Sequence, residues 1–282
     1  MKVVITGGNG QLAHDLKKEV PGEFEVLPLS HQELDITFRD DLLKKLSQIK
    51  PDVIINTAAF HKTDLCEEEV EKTFKVNVEG VKNLVDYCGG ENCILIHVST
   101  DYVFDGGKIE TKEPYNEEDI PNPLNVYGIS KLSSEFIVRN YLEKFYIVRI
   151  ASVFGKAGAS GKGGNFVYTI LNKAKNGELL KVVNDIWMSP TYTKDAARGI
   201  WTLLTEDHPS GIYHMTNAGY CTWYEFAKKI VELSPYNAEI IPVDHTTFPT
   251  KAKRPLWSPL TTLSEIRLRS WEEAIEEFVK DI

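Results

Sequence analysis

Apolar and polar residues alternate in blocks along the first half of the chain, and these blocks predict strands and helices in turn. Short apolar runs rich in Val and Ile predict buried strands at Lys2–Thr6, Phe24–Leu29, Val53–Asn56, Cys93–Ser99 and Phe145–Ser152. Apolar residues at helical spacing predict helices at Gln11–Val20, Phe38–Ile49, Val70–Cys88 and Leu124–Leu142. Strands that alternate with helices favour right-handed crossovers, and hence an α/β fold with a doubly wound parallel sheet.

The second half of the chain has a less regular pattern. Helices are predicted at Asn165–Asn176, Lys194–Thr205, Thr222–Leu233 and Ser270–Val279, and short strands near Leu180, Ile212 and Ile240. We expect residues 1–150 to carry the cofactor and the catalytic groups. We expect residues 151–282 to form mainly a smaller C-terminal α/β lobe that binds substrate, interleaved with the first part and not joined to it by a linker.

The composition of the chain argues against several classes of protein. The 282 residues are 42% hydrophobic and carry a formal net charge of −9, which argues against disorder and against broad binding to nucleic acid or anionic membranes. No CxxC pair or histidine cluster is present, so we predict no metal site and four reduced thiols in a cytoplasmic protein. The first strand begins at Lys2 and no apolar run approaches about 20 residues, so neither a signal peptide nor a membrane span is expected.

A glycine-rich turn follows the first predicted strand. Gly7, Gly10 and Ala13 are spaced as G-x-x-G-x-x-A, directly before the first predicted helix. Glycine lets the backbone turn tightly and approach a pyrophosphate, and the free N–H groups of the helix N-terminus attract phosphate. Because the turn opens a β-α-β pattern, it predicts a Rossmann-like dinucleotide site.

In such folds, a residue at the end of the second strand contacts the adenosine ribose. Ser30 and His31 stand there, and no acidic residue at the tip accepts a 2′-hydroxyl. This favours NADP(H) over NAD(H). The Asp35-Ile36 pair follows shortly and is suited to hold the adenine amino group, although capping of the next helix by Asp35 fits equally well.

Tyr127 and Lys131 form a Y-x-x-x-K pair at the start of a predicted helix. Four residues place both side chains on one helix face, where an ammonium favours the phenolate and lowers the pKa of the tyrosine. Thr100 follows the fourth strand, at the edge of the sheet where ligands bind, and its hydroxyl is suited to polarise a carbonyl. Asn77 is a further polar candidate, with a structural role as the alternative.

Together these segments resemble a known enzyme family. The T-G-G-N-G-Q-L turn, the N-T-A-A of 56–59, the S-T-D-Y-V-F of 99–104 and the P-L-N-V-Y-G-I-S-K of 123–131 are similar to the extended short-chain dehydrogenase/reductases. Within them the resemblance is closest to the dTDP-4-dehydrorhamnose reductases, and it runs across nearly the whole chain. It implies hydride transfer from NAD(P)H to C4 of a dTDP-4-keto-6-deoxyhexose, giving dTDP-L-rhamnose.

The resemblance also implies a role for each matching residue. Tyr127 would donate the proton, with Lys131 and Thr100 as catalytic partners. The implied cofactor contacts are Gly7, Gly10, Gln11, Leu12, Ser30, Asp35, Ile36, Ala58, Ala59, Phe60, Tyr127 and Lys131. The implied substrate contacts are Thr100, Asp101, Ser152, Asn165 and Arg254. Arg254 fits a diphosphate through its planar fork, with a surface ion pair as the alternative. A homodimer is expected.

Three departures from the family pattern affect these expectations. Ser152 stands where the rhamnose-forming reductases usually carry a Trp that stacks on the sugar. The loop 156–164 is longer and richer in glycine, and Ala13 replaces the more usual glycine of the turn. The first two bear on which hexulose is bound.

Other functions remain on this fold. A dehydratase would want an Asp-Glu pair after Thr100, and Asp101 is followed by Tyr102. A nucleotide-sugar epimerase would hold NAD tightly. A non-catalytic regulatory subunit, of the methionine adenosyltransferase beta type, would keep the fold as a binding module.

Overall fold

The computed structural model describes residues 1–158 and 164–282. Its strands are β1 (Lys2–Thr6), β2 (Glu25–Leu29), β3 (Val53–Asn56), β4 (Ile94–Thr100), β5 (Phe145–Ile150), β6 (Val153–Phe154), β7 (Leu180–Val183), β8 (Trp187–Met188), β9 (Thr191–Tyr192), β10 (Gly211–His214), β11 (Cys221–Thr222) and β12 (Ile240–Val243). Its helices are α1 (Gln11–Lys18), α2 (Arg39–Ile49), α3 (Thr63–Glu68), α4 (Val70–Phe74), α5 (Gly80–Glu91), α6 (Val126–Tyr141), α7 (Phe166–Lys175), α8 (Thr193–Thr205), α9 (Trp223–Leu233) and α10 (Trp271–Lys280).

Six strands form one parallel sheet in the order β2-β1-β3-β4-β5-β10. Helices α1 and α8 cover one face through residues such as Leu16 and Ile200. Helices α2, α5 and α6 cover the other face through Leu46, Leu84 and Val138. The predicted doubly wound sheet is confirmed. Its order reverses between β1 and β3, and ligands of open α/β sheets bind at the carboxyl ends of the strands beside such a point.

Residues of the second half build a further core and also complete the main sheet. Helices α7, α9 and α10 pack around buried aromatic side chains such as Phe226 and Phe278, beside the parallel pair β7–β12. Strand β10, however, extends the six-stranded sheet, and Trp201 of α8 donates its indole N–H to the Leu16 carbonyl of α1 at 3.0 Å. A boundary near residue 150 stays a prediction.

The helix predicted over Val70–Cys88 is present, but it contains a π-helical turn that the sequence pattern did not indicate. Helix α4 passes into a π-helical turn at Lys75–Glu79 before α5 begins. The amide of Asn77 in this turn accepts from the Phe60 N–H at 2.8 Å and donates to the Ser130 hydroxyl at 3.0 Å. A π turn inserts one residue and re-aims a side chain. The α-helical period of the sequence gives no sign of it.

All four cysteines are buried, and none of them forms a disulfide in the described part of the chain. No helix in the described ranges combines the length and the apolar character that a membrane span needs.

A buried ion pair joins α6 to β5 beneath the catalytic end of the sheet. The Arg149 guanidinium donates to both carboxylate oxygens of Glu135, at 3.0 and 2.7 Å, and both side chains are 2% exposed. The Ser99 hydroxyl of β4 also donates to Glu135. The pair therefore ties α6 to two neighbouring strands.

We predict that Glu135→Gln lowers the free energy of unfolding by about 3–5 kcal/mol, because it leaves the Arg149 charge buried without a counter-ion. Chemical denaturation measures the loss. Glu276→Gln is the matched control, since Glu276 pairs with Lys280 at the surface and such pairs contribute about 1 kcal/mol or less. Equal losses in the two variants would contradict the prediction.

Candidate active site

The glycine turn lies against the loop that follows β3. Gly7 has a φ of +68°, and a Cβ on it would lie 2.9 Å from the backbone N of Ala58. A Cβ on Gly8 would lie 2.8 Å from the Leu29 backbone N at the end of β2. Helix α1 then begins at Gln11 with no side-chain cap and no acidic residue in its first turn. Its free N–H groups form a compact anion-binding corner at the switch point of the sheet.

Gln11 carries an unpaired polar group in this corner. Its side chain is buried, and its Nε2 finds no hydrogen-bond partner among the described residues. Its Oε1 accepts from Asn165 Nδ2 at 3.0 Å, while the Asn165 Oδ1 caps α7 through the Tyr168 N–H. The structure therefore brings Asn165, predicted as a substrate contact, to the phosphate turn. A buried amide N–H without an acceptor is costly, and a phosphate oxygen would satisfy it.

At the tip of β2 the structure adds an acid that sequence reasoning missed. The Glu33 carboxylate accepts from both the N–H and the hydroxyl of Ser30, at 2.8 and 2.7 Å. Asp35 accepts from the N–H and the hydroxyl of Thr37 and closes a turn, while α2 has Phe38 at its N-cap. Capping of α2 by Asp35 is thus wrong. Ile36 is buried against Gly80 of α5.

The predicted catalytic groups meet where β4 ends. Gly128 lets α6 approach this point, because a Cβ on it would lie 2.2 Å from the Tyr102 carbonyl oxygen. Asn125 begins α6 by accepting from the Gly128 N–H at 2.8 Å. The Thr100 hydroxyl lies near the Tyr127 side chain and donates to Asp101 at 3.1 Å. Thr100, Asp101 and Tyr127 are therefore neighbours, as predicted.

The pKa values in this group differ from the sequence expectation. Burial raises the pKa of Tyr127 above its ordinary value, and the nearby Asp101 raises it further. The predicted lowering by Lys131 is not found: Lys131 is not among the groups that shift the Tyr127 pKa, and its ammonium donates to the Val98 carbonyl at 2.7 Å. Burial lowers the pKa of Lys131 to about 8 and raises that of Asp101 to about 6. Tyr127 is thus fully protonated at neutral pH.

A cavity of about 750 Å³ opens beside these groups. At one end it is lined by Tyr102 and Leu124, and the Tyr102 ring lies 6.2 Å from that of Tyr127. Aromatic side chains that the sequence did not single out, Phe166 and Trp223, line another part of it. The cations that line it are Lys173, Lys181, His245, Lys253 and Arg254.

Arg254 forms an ion pair, the alternative considered for it, and also lines the cavity. Its guanidinium donates to Asp64 at 3.0 Å, and it also hydrogen-bonds with Tyr102, while its side chain lines the cavity. Asp64 also accepts from the Ala252 N–H at 3.0 Å. The ion pair therefore holds the segment around Arg254 against α3 and keeps the guanidinium at the cavity wall.

Ser152 lies in a strained part of the backbone near the same edge. Its φ is +42°, which is rare for residues other than glycine, and its carbonyl accepts from the Thr191 N–H at 3.3 Å. Positions 159–163 of the glycine-rich loop lie outside the described residues.

The ligand-type side chains of Asp185, Asp244 and His245 lie within 4.8 Å of one another. The Asp185 carboxylate contacts His245 Nδ1 at 2.6 Å and raises the pKa of this histidine. The three side chains are joined to one another by this contact and by the Asp244–His245 contact at 3.6 Å.

Comparisons with known proteins agree along the whole chain. The family described as RmlD substrate binding domain matches residues 1–282. A dTDP-4-dehydrorhamnose reductase of Aggregatibacter actinomycetemcomitans is 38% identical over 98% of this chain and 97% of its own length.

Solved structures give the same result. A dTDP-4-dehydrorhamnose reductase from Clostridium acetobutylicum has a TM-score of 0.92 and 38% identity, and the match covers 99% of each chain. The reductase of Bacillus anthracis, crystallised in complex with NADP, has a TM-score of 0.92 and 34% identity over 100% of this chain and 99% of that chain.

We predict that Gly128→Ala lowers the free energy of unfolding by about 1–3 kcal/mol, because the added methyl forces α6 away from the turn after β4. Gly89→Ala in α5 is the matched control. A Cβ there meets only Leu142, at 3.6 Å, so alanine should raise stability by about 0.5–1 kcal/mol. Thermal and chemical denaturation measure both, and the same sign in the two variants would contradict the close approach.

Proposed function

The chain belongs to the RmlD substrate binding domain family, and on this premise we propose that it is an NAD(P)H-dependent reductase of dTDP-4-dehydro-L-rhamnose, with dTDP-L-rhamnose as product. One observation carries the proposal. Thr100, Tyr127 and Lys131 converge at the carboxyl end of β4, beside a cavity large enough for a nucleotide sugar.

The described residues fit a dinucleotide. The glycine turn leaves a cradle that Cβ atoms would fill, the N-terminus of α1 is open, and Gln11 Nε2 lacks an acceptor. We assign the pyrophosphate to Gly7, Gly10, Gln11 and Leu12. Ala58, Ala59 and Phe60 follow β3 beside this turn, where Phe60 is held by Asn77, and we assign them to the cofactor as well. When bound, NAD(P)H supplies the hydride.

The side chains of this chain supply the proton. Reduction of a ketone at C4 leaves an alkoxide that needs one proton, and the protonated Tyr127 hydroxyl is the proposed donor. The Thr100 hydroxyl lies within hydrogen-bond reach of Tyr127 and would orient the same oxygen. We assign Lys131, on the same face of α6 as Tyr127, to the ribose of the cofactor.

The cavity carries charges opposite to those on the rest of the proposed substrate. A nucleoside diphosphate carries negative charge, and the cavity wall carries Lys and Arg side chains, with Arg254 fixed by Asp64. We assign the sugar to Thr100, Asp101 and Ser152, near Tyr127. Asn165 is better placed to support Gln11 than to contact the sugar.

We further propose NADP(H) as the favoured cofactor, a homodimer, and a cytoplasmic location without nucleic-acid partners. The cofactor proposal is supported by Ser30 and the exposed His31 after β2 and by the NADP complex of the Bacillus anthracis reductase. Glu33 opposes it, because its carboxylate occupies both donors of Ser30. A 2′-phosphate at this point requires that the Ser30–Glu33 contact opens.

We predict that Tyr127→Phe lowers turnover of dTDP-4-dehydro-L-rhamnose by about 100-fold or more, because the ring stays while the proton donor is lost. NADPH affinity should change little. Loss of NADPH absorbance measures the rate, and titration of NADPH fluorescence measures the affinity. Tyr141→Phe, on the exposed face of the same helix, is the control and should keep full activity.

Wild-type rates in Tyr127→Phe would rule out the proposed donor. If the unmodified protein consumes no NADPH with any of several dTDP-, UDP- and GDP-4-keto sugars, a binding subunit becomes the better assignment. Interconversion of two nucleotide sugars without net NADPH consumption would favour an epimerase.

We predict that Glu33→Gln strengthens NADPH binding about twofold to tenfold and leaves NADH binding nearly unchanged, because the carboxylate repels a 2′-phosphate at the tip of β2. Glu25→Gln, at the opposite end of β2, is the control. Dissociation constants for both cofactors at low and high salt measure the effect. An equal gain for NADH, or no gain for NADPH, would contradict this placement of the 2′-phosphate.

A further inference from the structure

His97 lies in the middle of β4, fully buried, and the mechanism above does not use it. Its ring contacts three polar side chains. Asn56 Nδ2 lies 3.1 Å from Nδ1, while Ser134 Oγ and Lys131 Nζ lie 2.9 and 3.2 Å from Nε2. The histidine therefore connects the end of β3 to the proposed catalytic lysine.

The orientation of the Asn56 amide decides how His97 is protonated. The Ala58 backbone N–H points at Asn56 Oδ1 from 3.2 Å, and the Thr6 hydroxyl donates to the same oxygen at 2.6 Å. A backbone N–H is only ever a donor, so the amide oxygen must face it. The amide nitrogen then faces His97, and His97 Nδ1 must accept.

The proton of His97 consequently lies on Nε2. Burial, together with the adjacent Lys131, lowers the pKa of His97 well below its usual value, so the ring is neutral and carries one proton. The Ser134 hydroxyl donates its own hydrogen to the Lys131 carbonyl at 2.7 Å, which leaves its oxygen free to accept from Nε2–H. The hydrogens on His97 Nε2 and on the Ser134 hydroxyl therefore each have one assigned acceptor.

This protonation state limits what Lys131 can bind inside the protein. An ammonium has three N–H donors. The Val98 carbonyl accepts one of them at 2.7 Å, and Nε2, although 3.2 Å away, offers no lone pair. Among the described residues no other acceptor contacts the ammonium, so two of its donors stay available.

We propose that His97 is a positioning residue for Lys131: by presenting Nε2–H to the ammonium it withholds a second internal acceptor and keeps two N–H groups of Lys131 free for the cofactor ribose and for Tyr127. The proposal rests on the proposed function for its use of the cofactor. The network that carries it, from the Ala58 N–H through Asn56 and His97 to Lys131, stands on geometry alone.

A second buried histidine provides an internal reference. His214 Nδ1 lies 2.9 Å from the Thr261 carbonyl and 3.1 Å from the Tyr115 carbonyl, and carbonyl oxygens only accept. An Arg149 N–H lies 3.3 Å from its Nε2 and only donates. Burial lowers the pKa of His214 to about 4. The two buried histidines are therefore neutral and carry their protons on opposite nitrogens.

The test reverses the protonation of His97 with a nearly isosteric change. In Asn56→Asp both side-chain oxygens accept, so the His97 proton should move to Nδ1 and Nε2 should accept from Lys131. Nitrogen-15 NMR of the imidazole rings distinguishes the two forms. We expect Nε2–H for His97 in the unmodified protein, Nδ1–H in Asn56→Asp, and Nδ1–H for His214 in both.

The affinity for NADPH should depend on the charge of Lys131, and therefore on pH. Its facing groups are His97 on β4, the Glu135 carboxylate on its own helix, which raises its pKa, and Arg149 on β5, which pairs with that carboxylate. NADPH affinity should fall as pH rises through about 8, where the ammonium is lost. In Asn56→Asp the fall should move upward by about one pH unit, and affinity at pH 7 should drop about threefold to tenfold, because His97 now occupies one N–H.

His97→Gln is the conservative variant. Its amide N–H₂ replaces Nε2–H and offers Lys131 no lone pair, so the pH dependence of NADPH binding should stay as in the unmodified protein. Nδ1–H on His97 of the unmodified protein would overturn the proposal, and this measurement needs no variant. An Asn56→Asp protein that reverses the His97 proton without moving the pH dependence would overturn it too. An unmodified protein with Nε2–H and the expected pH dependence, but without turnover of any 4-keto sugar, would instead remove the proposed function.

Discussion

The polar inward face of α6 is the constraint on which the rest of the structure depends. A helix against a sheet ordinarily buries an apolar stripe, but here the buried positions are largely polar: Gly128, Ser130, Lys131, Ser134 and Glu135. Each polar group loses water on folding and must find a specific partner. Apolar side chains still pack when a helix slides along a sheet, whereas hydrogen bonds to specific partners are lost. The register of α6 on β4 and β5 is therefore set to within a hydrogen bond, and this register brings Tyr127 beside Thr100.

The features of the fold and site that depend on short-range sequence patterns could be predicted. Those that depend on contacts between residues far apart in the sequence could not. The strands, the glycine turn and the common helix face of Tyr127 and Lys131 follow from spacing alone. The π turn at Asn77 does not, because it depends on a contact with Ser130, 53 residues away. His97 sits in an apolar strand and looks like a core residue, and the upward shift in the pKa of Tyr127 reflects a burial that only the assembled fold creates.

Although the net charge of the chain is −9, positive charge is concentrated at the wall of the cavity. Five basic side chains line the cavity, all of them from the second half of the chain, while the turn at Gly7 offers backbone N–H groups instead of side-chain cations. The proposed enzyme would thus bind two anionic ligands by different means. The cofactor phosphates would meet backbone dipoles, and the substrate phosphates would meet side-chain charges, which salt screens more readily.

The six-stranded sheet is complete only when strand β10, from a late part of the chain, has paired with β5. Strand β10 pairs with β5 only after about three quarters of the residues have been made, and the contact between Trp201 and Leu16 spans 185 residues. Such separations raise contact order and slow the search for the native topology. Until then a nascent chain exposes the edge of β5 and the outer face of α1, and both surfaces favour aggregation. A fragment cut near residue 150 would carry the same open edge permanently.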